Sequence, residues 1–65
     1  MDDLQFVREQ LGQIKISDLE SIAKRAKVPF GTAHKIKYGK TKYPQFRTIK
    51  KLADYFRAER ERAAA

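Results

Sequence analysis

The sequence predicts an all-α fold: one compact domain of four helices, five at most. Three observations carry this. Apolar residues recur at three- and four-residue spacing in successive segments, no segment alternates as a strand does, and the breaks fall at Gly12, Pro29, Gly39 and Pro44. At 65 residues the chain is one small domain, and such a domain buries only about 60% of the surface its unfolded chain exposes. Its core is therefore thin. With no cysteine and a single histidine it has neither a disulfide framework nor a usual closed zinc site, so helix packing must hold it together.

The first helix is expected from Asp3 to about Leu11, capped by Asp2 or Asp3, with Leu4, Val7 and Leu11 as its apolar stripe and Gly12 as its C-terminal cap. Phe6 lies off that stripe, either flanking the core or meeting another chain. Ser17-Asp18-Leu19-Glu20 has the spacing of a capping box and opens a second helix that buries Leu19, Ile22, Ala23 and Ala26. Pro29 fits only the first turn of a helix, so Val28-Pro29 marks a break and a restart. The third helix runs to about Tyr38, burying Ala33 and Ile36. At 100° per residue Gly31, His34 and Lys35 face the opposite way, with Phe30 and Thr32 on the flanks. Gly39 ends it and residues 40–44 form a loop. The fourth helix starts near Gln45, with Phe46, Ile49, Leu52, Ala53 and Phe56 as its stripe. Residues 57–65 carry only charges and alanines, an exposed helical extension that frays beyond the domain formed by residues 1–56.

Charge is segregated along the chain. Between Lys24 and Lys51 there are ten Lys or Arg and no Asp or Glu, whereas the remainder carries five basic and eight acidic residues, for a net charge of +7. A cationic block without compensating acids points to a polyanionic partner. No apolar run approaches the roughly 18 residues of a membrane span, and no signal peptide is evident, so a cytoplasmic protein without a membrane partner is expected. No acidic pair lies within the basic block, and the lone histidine lacks an evident carboxylate partner. An enzyme, a cofactor, a metal and a small-molecule substrate are accordingly not expected.

Two short helices joined across Lys27 and Val28, with small Ala23 where their axes approach, outline a helix-turn-helix. The run from Ser17 to Phe56 resembles the Cro/CI-type family of phage repressors, lambda-repressor-like DNA-binding domains. The resemblance is carried by Ile22-Ala23, Val28, Ile36, Gly39 and the Lys40 to Phe46 loop. It implies a recognition helix, Pro29 to Tyr38, lying in the major groove of an operator bound by a homodimer, and a place with the nucleoid of a bacterial host. By position, the base readers are Phe30, Gly31, Thr32 and Lys35, with His34 beside them. Those for phosphate are Leu19 at the start of the second helix, then Tyr38, Lys42, Tyr43 and Gln45; Ser17 beside Leu19, and Lys37 and Lys40 in the cationic stretch, are added to them as phosphate contacts. Tyr38 and Tyr43 can also pack against the fourth helix.

Three positions depart from the family. Lys27 stands where glycine is common in the turn, Leu19 where glutamine is common, and Phe30-Gly31 where lambdoid repressors carry amide readers. Lys35 can donate to guanine, Thr32 can donate or accept, and the Phe30 ring can pack on a thymine methyl. The alternatives are a nonspecific DNA- or RNA-binding module, which the lysines suit equally, and an antitoxin-type DNA-binding protein.

Overall fold

The computed structural model describes residues 3–64, and the chain is all-α. Among these residues four helices form: α1 (Asp3–Gly12), α2 (Ile16–Ala26), α3 (Phe30–Lys37) and α4 (Phe46–Ala64). None is long and apolar enough to cross a membrane. The core takes Val7 and Leu11 from α1, Leu19, Ala23 and Ala26 from α2, and Val28 from the turn. Ala33 and Ile36 of α3 and Ile49, Leu52, Ala53 and Phe56 of α4 complete it. Each set follows the helical period, and Ile22 packs at the edge. Both α3 and α4 pack against α1 and α2. They lean on shared supports, and a groove remains between them.

The two short helices α2 and α3 are joined by residues 27–29. Lys27 adopts φ 62, ψ 43, the left-handed conformation suited to glycine and strained for a side chain with a Cβ. The bonds made there explain why it is held. Val28 N donates to Ala23 O at 2.9 Å and Lys27 N to Lys24 O at 3.2 Å, the paired bonds of a Schellman terminus. The same motif closes α3 with a glycine in place. Gly39 has φ 68, while Lys40 N donates to Lys35 O at 2.8 Å and Gly39 N to Ile36 O at 3.2 Å.

Several expected details change. Asp2, one of the two caps proposed for α1, lies outside the described residues, and Asp3 is already helical. Gly12 belongs to the last turn of α1 and has no positive φ, so it is not a left-handed cap. The capping box does not form: α2 begins at Ile16 after Lys15, with no side-chain cap bond, which leaves Ser17 inside the first turn. Phe46 keeps the period of the α4 stripe but, as the first residue of the helix, is 72% exposed. Phe6 is partly buried against the core of its own chain. The guanidinium carbons of Arg57 and Arg60 lie 5.1 and 5.7 Å from its ring centroid, and Arg57 Nη2 also bonds Asp3 Oδ1 at 2.6 Å. These contacts bind α1 to the continuation of α4 past the core, which stays helical to Ala64.

Candidate nucleic-acid interface

Pro29 sets the start of α3. Its φ of −58 and ψ of 139 suit the residue before a helix, and its carbonyl accepts from Thr32 N and Ala33 N, both at 3.1 Å. Burial of Ala33 and Ile36 then fixes the rotation of the helix about its axis. Gly31 and Lys35 are turned outward and exposed, His34 and Thr32 are partly covered, and two different flanks result.

On one flank Thr32 and Lys35 face the loop and the first turns of α4. Together with Pro29, Thr41, Tyr43, Pro44, Gln45, Arg47, Thr48 and Lys51 they line a groove of about 560 Å³. Three cations and three threonine hydroxyls converge there, and no Asp or Glu lines it. An acid-free wall of flexible ammonium and guanidinium groups suits a chain of phosphates, which accept from both without a competing internal carboxylate. Arg47, Thr48 and Lys51 were not among the residues singled out from the sequence. The available signal was their position on the outward side of α4 within the acid-free block.

On the other flank three rings form a strip. The centroids of Phe30 and His34 are 5.8 Å apart with planes tilted by 45°, and those of His34 and Tyr38 are 4.6 Å apart with a 49° tilt. Phe30 remains 43% exposed and Tyr38 51%. Tyr38 thus packs along its own helix. Tyr43 is 88% exposed on the loop, so packing against α4 does not account for it. Lys40 and Lys42 are exposed on the same loop, which is tied back to α1 by Arg8 Nη2 donating to Thr41 O at 3.2 Å.

Three residues expected at this surface are elsewhere. Leu19 is fully buried, so its side chain is core and offers nothing to a phosphate. Lys37 turns to the third side of α3: its Nζ donates to Leu11 O at 2.8 Å and to Ile14 O at 2.6 Å. These carbonyls belong to the end of α1 and the connector after it, where a cation complements the helix dipole. The ammonium takes the capping role expected of Gly12. Ser17 is exposed, but it sits apart from the groove, in a shallow depression with Glu20, Ser21 and Lys24.

The predicted set therefore divides into Thr32, Lys35, Tyr43 and Gln45 in the groove, Phe30, His34 and Tyr38 in the strip, Gly31 outward between them, and Lys40 and Lys42 on the exposed loop. Comparison of the chain with protein-family models, curated proteins and solved structures gives no match.

Proposed function

We propose that this chain is a sequence-specific double-stranded DNA-binding protein, a transcriptional regulator of the Cro/CI repressor kind. It presents α3 to the major groove and binds an operator as a homodimer. The acid-free groove beside the outward face of α3 is the observation that most supports the reading. A helix that carries base-reading side chains needs an adjacent grip on the backbone to set its register. Here Lys35 and Thr32 serve the bases, and Arg47, Lys51, Gln45 and the loop lysines serve the phosphates. No catalytic step, cofactor or metal enters the proposal.

The test is selection of bound sites from a random duplex library with purified protein at physiological salt. A palindrome with half-sites about one helical turn, roughly 10 bp, apart supports a dimeric reader. Retention of duplex without any common motif refutes sequence specificity and leaves a nonspecific phosphate grip.

A further inference from the structure

Resting on that reading, we infer that the Phe30–His34–Tyr38 strip is a specificity-determining surface for the C5-methyl groups of pyrimidines in the major groove. Duplexes would then be chosen in large part by their pattern of thymine methyls. Three features of the strip carry the inference. Phe30 and Tyr38 leave 43% and 51% of their surface in water, although each ring already touches His34, so the chain itself supplies no further cover. Between Phe30 and Tyr38 the helix rises about 12 Å at 1.5 Å per residue, comparable to three or four base-pair steps of 3.4 Å. Beside the strip, an added Cβ at Gly31 would meet nothing within 4 Å beyond its immediate neighbours and the backbone of its own helix, so no other part of the chain covers the helix at that position.

The chemistry follows from what these side chains can exchange. The first two residues of α3, Phe30 and Gly31, have no side-chain hydrogen-bond group, so any base discrimination by these two residues must come from shape and apolar contact, beside the hydroxyl of Thr32. The thymine methyl is the apolar group that the major groove offers. Stacking on single-stranded bases is the other use of exposed rings, but a base inserted between two rings needs two stacking gaps, roughly 7 Å at 3.4 Å each. Both neighbouring pairs are closer than that, at 5.8 and 4.6 Å with mutually tilted planes, so the strip is closed to a base intercalated between adjacent rings while its exposed apolar surface remains open to methyl groups.

The test leaves the protein unaltered. Sites recovered by selection are resynthesised with deoxyuridine in place of each thymidine in turn, and binding is followed by fluorescence anisotropy. Loss of a contacted methyl is expected to weaken binding about fourfold, the equivalent of roughly 0.8 kcal/mol for one buried carbon group. At least one position per half-site should respond, and 5-methylcytosine should restore part of the affinity where cytosine replaces a responsive thymine. Phe30→Ser, checked for its helical circular dichroism, should abolish the thymine–uracil difference at the position that Phe30 covers. Tyr38→Ala should do so at another. Full affinity for uracil-substituted sites, with sequence preference retained, overturns the methyl reading and leaves the proposed function standing. Absence of any preferred duplex overturns both.

Discussion

Replacing Lys37 with methionine keeps an unbranched stem of four heavy atoms and removes the terminal ammonium. The two bonds lost, at 2.8 and 2.6 Å, come from a charged donor, and such bonds contribute about 1.5–3 kcal/mol each when both partners are otherwise left bare. That condition holds only in part. Leu11 O also accepts from Ile14 N at 3.1 Å, so the loss falls mainly on the Ile14 carbonyl and on the dipole of α1, worth about 0.3–1 kcal/mol. A destabilisation of about 2 kcal/mol results. Since each kcal/mol moves Tm by roughly 4–8 °C in a domain of this size, thermal melting by far-UV circular dichroism should show a fall of about 8–16 °C. A second readout separates this role from a phosphate contact. A lysine that neutralises no phosphate releases no counterion, so Lys37→Met should leave the slope of log K against log salt unchanged under conditions where the variant is folded. A Tm within about 3 °C of the parent, or a slope reduced by about 0.9 per subunit, refutes the argument and returns Lys37 to the DNA-facing surface.

If each subunit of a dimer neutralises four phosphates, the salt slope of the parent protein should be roughly −7, and Lys42→Ala should lower affinity for all duplexes alike while reducing that slope by about one per subunit. By contrast, Lys35→Ala should cost about 1–3 kcal/mol on the preferred site and relax selection at one base pair, which a repeat of the library experiment reads directly. An unchanged preferred sequence would refute the outward register assigned to α3. Lys27→Gly should raise Tm by a few degrees, because it removes a left-handed strain of about 1–2 kcal/mol and returns about half as unfolded-state entropy. A lower Tm would mean that the Lys27 side chain contributes more than its backbone strain costs.

Much of the fold was legible because the signals were local. Pro29 and Gly39 bound α3, and the apolar period selected most of the buried residues of all four helices. What escaped depends on neighbours distant in sequence. The period shows that Lys37 lies beside the buried stripe of α3 but not that the end of α1 lies on that side; only the assembled bundle brings its ammonium to the Ile14 carbonyl. Likewise, the outward side of α4 was readable, whereas its use of Arg47 and Lys51 as the far wall of a groove follows from α3 and α4 leaning on the same two helices. Ser17 failed as a cap because α2 starts at Ile16; the spacing of a capping box does not choose between adjacent starts. Phe46 shows the opposite limit, since its period is correct and its exposure is set by its place at the end of the helix. The contradiction at Leu19 was visible in the sequence itself: a residue on the buried stripe of α2 cannot also offer its side chain to a backbone outside.

Gly31 is an unoccupied position in the middle of the outward face of α3. Glycine inside a helix costs roughly 0.5–1 kcal/mol relative to alanine, and here a Cβ would meet nothing within 4 Å while no positive φ requires glycine. Folding therefore favours almost any other residue at this site and excludes few. A single codon change could install an amide, a guanidinium or a carboxylate at the centre of the exposed surface without disturbing the core beneath it. On the proposed function, the domain is in that sense readily retargeted, with one open address at which new preferences can be written.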